Sequence, residues 1–242
     1  MSDKPAYVRA KRPLSASEIL NLDSVYANMA RSLLAADEWL STLESALADA
    51  GQLENTYVVV ASDNGWMSGQ HRIRGAKGLP YEESLRMPLY VAGPGVAPGT
   101  TVDALVGNTD LAPTFAEWGG TVMPDPVDGR SFASLLAAPP PAWRQAYPIT
   151  YRQGTAGTQP GWRGLRTDNY AYVEYVTGER ELYDMTADPY QLTNIAATAD
   201  PTLLAQLAQR TADLAACSAD GCRALEDQPL TGAAARARAK RR

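Results

Sequence analysis

One stretch decides the fold: residues 57–65 read Tyr57-Val58-Val59-Val60-Ala61-Ser62-Asp63-Asn64-Gly65. A β-branched run without polar alternation is typical of a strand that is covered on both faces, as in a parallel α/β sheet. Polar residues follow where this strand should end, and ligands of open α/β sheets bind beyond the carboxyl ends of strands. The stretch therefore predicts a buried strand of an α/β fold with a candidate site at its end.

Asp63 and Asn64 are the first candidates for that site. A carboxylate and an amide oxygen are hard ligands that suit Ca²⁺ or Mg²⁺. Gly65 permits a sharp turn, which would let both side chains converge on one ion. Because Asp-Asn-Gly is also a common turn sequence, these residues alone leave a cation site and an ordinary turn both open.

Two further candidates follow in the next loop. His71 is the only histidine, and its ordinary pKa near neutrality suits a general acid or an anion contact. Lys77 lies in Gly75-Ala76-Lys77-Gly78 and could hold an anionic oxygen as a point charge. Taken alone, each is better explained as a surface residue of a loop.

A long helix is predicted before the decisive strand. Ser15 and Glu18 fit a capping box, and the helix should end near Gly51. Apolar residues recur at intervals of three and four, which predicts one buried stripe. That stripe consists of Leu22, Tyr26, Met29, Leu33, Ala36, Leu40, Leu43 and Leu47.

After the decisive stretch, a short strand is predicted at 89–91 and a helix from the caps at 108–110 to Trp118. Residues 1–138 therefore form one predicted α/β portion. Residues 139–230 form a smaller predicted subdomain with strands at 146–151, 161–167, 170–176 and 180–184. Short turns between the last three strands indicate an antiparallel meander. A terminal helix over 201–215, capped by Asp200, and a disordered basic tail over 231–242 complete the prediction.

Composition excludes several classes of function. The 242 residues carry a net charge of −5, which argues against nucleic acid as a partner. One histidine and two cysteines exclude a His/Cys zinc cluster. No apolar run approaches the roughly 20 residues of a membrane helix, so no membrane partner is expected. The first residues contain no apolar stretch, so no secretory signal is predicted in this chain and its localisation stays undetermined.

The order of the motifs resembles a known family. Along the chain stand Ser62-Asp63-Asn64-Gly65, Gly69-Gln70-His71, the segment 75–95, Asp110-Leu111-Ala112-Pro113-Thr114, Asp128-Gly129-Arg130-Ser131 and Glu181-Leu182-Tyr183-Asp184. This series resembles the C-terminal half of the formylglycine-dependent (type I) sulfatases of the alkaline phosphatase superfamily. It is similar to the bacterial branch related to N-acetylglucosamine-6-sulfatase.

The resemblance implies a fold and a chemistry. The implied fold is part of an α/β mixed sheet with helices, plus a smaller C-terminal antiparallel subdomain with a terminal helix. Asp63 and Asn64 would bind Ca²⁺, Lys77 would contact the sulfate and help the leaving oxygen depart, and His71 would lie near the sulfate pocket. The implied substrate is a sulfated small molecule or glycan.

The sequence also departs from the family pattern. The nucleophile motif C-x-P-S-R, its serine variant and the N-terminal Asp-Asp pair of metal ligands do not occur. Asp63 and Asn64 fall short of the about six to eight oxygen ligands of Ca²⁺. We therefore expect an incomplete site, no formylglycine, and no activity of this chain alone. A separately encoded N-terminal half is one expectation; a non-catalytic remnant and a phosphate or phosphonate ester hydrolase are the alternatives.

The two cysteines, Cys217 and Cys222, leave two interpretations open. They are either incidental thiols or a local disulfide. The pair resembles a feature of exported actinobacterial sulfatases. The resemblance therefore implies a disulfide and a secreted or periplasmic parent protein.

Overall fold

The computed structural model describes residues 1–137, 142–152 and 159–231. Its helices are α1 (Ala6–Arg9), α2 (Ala16–Asp49), α3 (Glu82–Leu85), α4 (Leu111–Trp118), α5 (Ala133–Ala137), α6 (Pro201–Ala216) and α7 (Asp220–Asp227). Its strands are β1 (Val58–Ala61), β2 (Leu89–Ala92), β3 (Ala146–Tyr151), β4 (Trp162–Thr167), β5 (Tyr170–Tyr175) and β6 (Arg180–Asp184). Among these residues no helix is both long and apolar enough to cross a membrane.

The chain divides into two compact units. The sheet unit comprises Met1–Arg9, Pro80–Glu82 and Thr101–Arg242, and the helix unit comprises Ala10–Leu79 and Glu83–Thr100. The boundary between 138 and 139 stays a prediction, because it falls within residues 138–141, which lie outside the described residues. The predicted basic tail also lies outside them from residue 232 onward.

In the sheet unit, four strands form an antiparallel meander in the order β3-β4-β5-β6. Leu165 is opposite Tyr172, which is in turn opposite Leu182. All three side chains are buried and pack with Leu203 and Leu207 of α6 in one core. The predicted meander is confirmed, since each of these strands pairs antiparallel with the next one along the chain.

Helix α6 begins as its sequence indicates. The side chain of Asp200 accepts a hydrogen bond from the Thr202 amide, and Pro201 occupies the first turn. A disulfide joins Cys217, just after α6, to Cys222 in α7, so the interpretation as a disulfide is confirmed. Helix α7 itself was not predicted from the sequence.

In the helix unit, the capping box of Ser15 and Glu18 is present and α2 runs unbroken over 34 residues. The predicted burial of its stripe is wrong: Leu22 is the one buried residue of this helix. The predicted double coverage of β1 is also wrong, because no residue of β1 is buried and the strand pairs antiparallel with β2. An apolar face is buried only where an opposing layer exists, and the described residues supply none here.

A buried ion-pair cluster joins several loops of the sheet unit. The guanidinium of Arg144 donates to both carboxylate oxygens of Asp110 at 2.5 and 2.7 Å, and both side chains are fully buried. Glu226 accepts a hydrogen bond from Arg130 at 3.0 Å and forms an ion pair with Arg144, whose Nε lies 3.0 Å from the same carboxylate oxygen. The amides of Gly107 and Arg130 also donate to Asp110. Two motif residues, Asp110 and Arg130, therefore have a structural role here.

A second buried cluster surrounds Glu181. Its carboxylate accepts hydrogen bonds from the hydroxyls of Tyr81, Tyr175 and Tyr183 at 3.0, 2.6 and 2.5 Å. The buried ammonium of Lys4 donates to Tyr183 at 2.6 Å, so the N-terminal segment is tied to β6. Burial is the largest influence on the pKa of Glu181 and raises it above its ordinary value, although the hydroxyl donors and Lys4 act in the opposite direction.

Removing Arg144 should destabilise the chain strongly. Arg144→Met leaves the buried carboxylate of Asp110 without its ion pair, which costs about 3–5 kcal/mol of unfolding free energy. Arg163→Met is the matched control, because Arg163 is 48% exposed beside Glu174 and should cost less than about 1 kcal/mol. Urea unfolding of both variants measures the difference. Equal losses would contradict the structural role of the Asp110 cluster.

Glu181 should make stability depend on pH. Because its native pKa is raised above the ordinary 4.5, the native state retains a proton that the unfolded state releases. Its contribution is therefore fully present below pH 4.5 and declines as pH rises through the native pKa. Urea unfolding from pH 4 to 8 should show that Glu181→Gln lacks this decline, whereas Glu179→Gln retains it. If the unfolding free energies of wild type and Glu181→Gln changed with pH in parallel, the proposed contribution of Glu181 would be refuted.

Candidate active site

The candidate site lies in the loop that follows β1 in the helix unit. The amide of Gly65 donates to the carbonyl of Ser84 at 2.9 Å, so the chain turns away directly after Asn64. A side chain at position 65 would collide with the carbonyl oxygen of Glu83, and glycine is therefore required at this approach. The turn leaves Asp63 and Asn64 at the end of the strand, as the sequence predicts.

The structure brings three of the four predicted site residues into contact. The Nζ atom of Lys77 donates to Oδ1 of Asn64 at 2.8 Å and lies 3.8 Å from Oδ2 of Asp63. An antiparallel bridge between Met67 and Ala76 returns the loop toward its start and so places Lys77 beside the turn. The side chains of Lys77 and Asp63 are 57% and 81% exposed, so the ammonium and the carboxylate are open to a ligand.

The donors fit part of a hard-cation site. The Nδ2 atom of Asn64 donates to the carbonyl of Gly65 at 2.9 Å, which directs Oδ1 to the side where Lys77 lies. Together with the carboxylate of Asp63, this gives two oxygen ligands of the kind that Ca²⁺ prefers. In the described part of the chain no group of three or more His, Cys, Asp or Glu residues is placed to hold a metal. Asp63 and Asn64 therefore fit part of a cation site.

His71 occupies a different environment from the other three. It lies in the short 3-10 turn Gln70–Arg72, where its backbone adopts the left-handed values of φ 52° and ψ 24°. Its side chain is 9% exposed, and the amide of Gly69 closes the turn onto the carbonyl of Ile73 at 2.8 Å. Its place near a sulfate pocket stays a prediction.

Ser84 was missed by the sequence analysis. Its carbonyl accepts from Gly65, and its hydroxyl accepts from the amide of Leu79 at 3.1 Å. Ser84 is 3% exposed and so fastens both ends of the loop that carries the candidate residues. The one signal in the sequence is a small polar side chain in a short helical turn, which is too common to identify it.

Comparisons with known proteins decide the family. A family profile described as N-sulphoglucosamine sulphohydrolase, C-terminal, matches residues 69–216, and one described as Sulfatase matches residues 3–121. The N-acetylglucosamine-6-sulfatase of Bos taurus is 32% identical over an alignment 248 residues long that covers 89% of this chain. The chain belongs to the sulfatase family. All four candidate residues lie in the part of the chain that the Sulfatase profile matches.

Other relatives agree with this assignment. The N-acetylglucosamine-6-O-sulfatase of Bacteroides thetaiotaomicron is 34% identical over 171 residues. The match covers 68% of this sulfatase chain and 30% of the Bacteroides protein. A solved structure shows a similar protein in complex with its substrate D-glucosamine-2-N,6-O-disulfate. It superposes with a TM-score of 0.68 at 33% identity, covering 73% of this chain and 37% of that one. The predicted α/β fold with a smaller C-terminal antiparallel sheet is thereby confirmed. The chain spans 44% of the length of its Bos taurus relative.

Phosphonate hydrolases share the fold. The phosphonate monoester hydrolase of Agrobacterium radiobacter superposes with a TM-score of 0.65 at 26% identity, covering 75% of this chain and 40% of that one. The architecture of the sulfatase chain therefore occurs with more than one kind of ester substrate.

Calcium titration tests the two oxygen ligands. We expect weak binding of Ca²⁺ that is lost in Asp63→Ala and strengthened in Lys77→Ala, because the Lys77 ammonium competes for the same oxygens at 2.8 and 3.8 Å. Asp23→Ala, at an exposed position of α2, is the control and should leave binding unchanged. Isothermal calorimetry measures all four proteins. Micromolar affinity that survives Asp63→Ala would show that the ion binds elsewhere.

Proposed function

We propose that this chain supplies the C-terminal share of the active site of a sulfuric ester hydrolase. The observation that carries the proposal is the contact of Lys77 with Asn64 and Asp63 at the end of β1, in a chain of the sulfatase family. An ammonium beside two hard oxygen ligands is suited to an anionic sulfate ester bound together with a divalent cation.

Each residue has a proposed role. Asp63 and Asn64 would hold Ca²⁺, which when bound neutralises negative charge on the sulfate oxygens. Lys77 binds a sulfate oxygen and stabilises the charge that develops on the leaving oxygen as the S–O bond breaks. His71 contributes a contact near the sulfate. The ammonium lies 2.8 Å and 3.8 Å from the ligand oxygens of Asn64 and Asp63, so all three side chains can act on the same bound group.

Formylglycine does not fit the residues of this chain. Cys217 and Cys222 are the only cysteines, and a disulfide joins them. Neither is available as a precursor, and no reaction step of this chain passes through that group. The nucleophile and further metal ligands would come from a completing segment, by which we mean an α/β segment that corresponds to the part of the relatives' chains that has no counterpart here.

The proposed substrate is a sulfated amino sugar or a glycan that contains one. Support comes from the relatives named N-acetylglucosamine-6-sulfatase and from the similar structure that holds D-glucosamine-2-N,6-O-disulfate. The disulfide supports a site of action outside the cytoplasm, because disulfides persist in oxidising compartments.

Hydrolysis of a phosphonate monoester is the second candidate function. It is favoured by the similarity to the phosphonate monoester hydrolase of Agrobacterium radiobacter, at 26% identity. The Lys77 ammonium suits a phosphonate oxyanion as well as a sulfate, because both are tetrahedral anions. The two candidates therefore differ in their substrate and not in the residues of this chain.

Ligand binding tests the proposed site. Glucosamine 6-sulfate should shift the NMR signals of the turn at 63–65 and of Lys77, and Lys77→Ala should weaken this binding about tenfold or more. Glucosamine without sulfate is the ligand control, and Lys11→Ala, elsewhere in the helix unit, is the protein control. Phenyl phenylphosphonate, a phosphonate monoester, is titrated in parallel, and tighter binding of it than of glucosamine 6-sulfate would favour the second candidate function.

The same preparation should show no turnover of an aryl sulfate with Ca²⁺ present, since it has no formylglycine. Turnover above that of Lys77→Ala would refute the assignment of an incomplete site. Equal binding of the sulfated and unsulfated sugar would refute Lys77 as a sulfate contact.

A further inference from the structure

The helix unit buries very little of its apolar surface. Its buried apolar side chains are four: Leu22, Met67, Ile73 and Leu79. Its exposed large apolar side chains are twelve: Ile19, Leu20, Val25, Tyr26, Met29, Leu33, Leu34, Trp39, Val60, Trp66, Leu89 and Tyr90. Since monomeric soluble proteins rarely expose large contiguous apolar patches, this balance indicates a surface that another molecule covers.

Helix α2 carries the first part of this surface. Leu22, Tyr26, Met29 and Leu33 follow one another at intervals of four, three and four, and so lie on one face. Leu22 is 9% exposed, whereas Tyr26, Met29 and Leu33 are 64%, 43% and 67% exposed. We call these three residues the α2 stripe. A helix of this kind gains most of its stability by packing such a face, and here the face is open.

The β1–β2 sheet carries the second part. None of its eight residues is buried, and Val60 and Tyr90, opposite each other in the register, are 40% and 69% exposed. A two-stranded sheet is marginally stable in water without further strands or a packed layer. In the described part of the chain each strand pairs only with the other, so each has one open edge. Such edges accept additional strands.

We propose that the α2 stripe and the β1–β2 sheet together form the docking surface for the completing segment, which adds strands to this sheet and covers the helix. This inference rests on the proposed function. The chain accounts for 44% of the length of its Bos taurus relative, so a segment of comparable size has no counterpart here. The open faces belong to the unit that also contains Asp63, Asn64 and Lys77.

The position of the site favours this occupant over a second copy of the chain. Asp63 and Asn64 follow β1 after Ser62, so a strand that is added parallel to β1 ends beside the two oxygen ligands. A segment with its own acidic residues there would raise the number of ligands toward the about six to eight that Ca²⁺ takes. A second copy paired through the same strand brings no ligand of another kind.

Co-production tests the docking surface. The probe is the polypeptide encoded directly upstream of Met1 in the source genome, produced as a separate, tagged chain together with this one. We expect the two to purify as a one-to-one complex, with amide exchange slowed at least tenfold over 58–61, 89–92 and the middle of α2. Leu33→Glu and Tyr90→Lys should each weaken the complex at least tenfold.

Tyr190→Glu is the matched control, because Tyr190 and Leu33 are both 67% exposed and Tyr190 belongs to the sheet unit. It should leave the complex intact. Circular dichroism of each variant alone should match the wild type, since the replaced side chains lie at the surface. Absence of a complex, unchanged affinity of Leu33→Glu, or a stable homodimer that protects the same amides and excludes the probe would each overturn the inference.

Activity of the complex separates this inference from the proposed function. A complex that forms through the docking surface but hydrolyses no sulfate ester supports the surface and contradicts the function. A chain that binds glucosamine 6-sulfate through Lys77 but forms no complex supports the sulfate contact and contradicts the surface.

Discussion

An apolar face must be covered by another apolar face, and the two units meet this requirement differently. In the sheet unit, Leu165, Tyr172 and Leu182 stand on one face of the meander and α6 covers them with Leu203 and Leu207. In the helix unit the α2 stripe and the β1–β2 sheet have no such layer among the described residues. The same physical rule therefore explains why one unit has a core of its own and why the other presents an open surface.

The family motifs divide into two groups once their contacts are known. Asp63, Asn64 and Lys77 are exposed or half-buried and contact one another at the end of a strand, where a ligand can reach them. Asp110 and Glu181 are fully buried and hold loops together through ion pairs and hydrogen bonds. Burying a charge is costly unless the charge has a partner. Asp110 and Glu181 therefore depend on the side chains that pair with them.

Local signals in the sequence were sufficient for the elements that depend on neighbouring residues. The capping box of Ser15 and Glu18, the cap at Asp200 and the four strands of the meander all follow from contacts over a few positions. Periodicity also located the apolar face of α2, but it carries no information about what covers that face. The partners of Glu181 lie up to 100 residues away at Tyr81, beyond the reach of any local pattern. The candidate site is intermediate: Lys77 and Asn64 are 13 positions apart, and only the order of several motifs connected them.

Two deficits of the helix unit have one common explanation under the proposed function. Asp63 and Asn64 supply two ligands where Ca²⁺ takes about six to eight, and the adjoining strand leaves both faces and one edge open. A strand added beside β1 brings its own carboxyl end to the same edge of the sheet when it runs parallel to β1. Residues that follow such a strand would then face the turn of Asp63, Asn64 and Lys77. Completion of the sheet and completion of the cation site are therefore one structural event, because both depend on what pairs with β1.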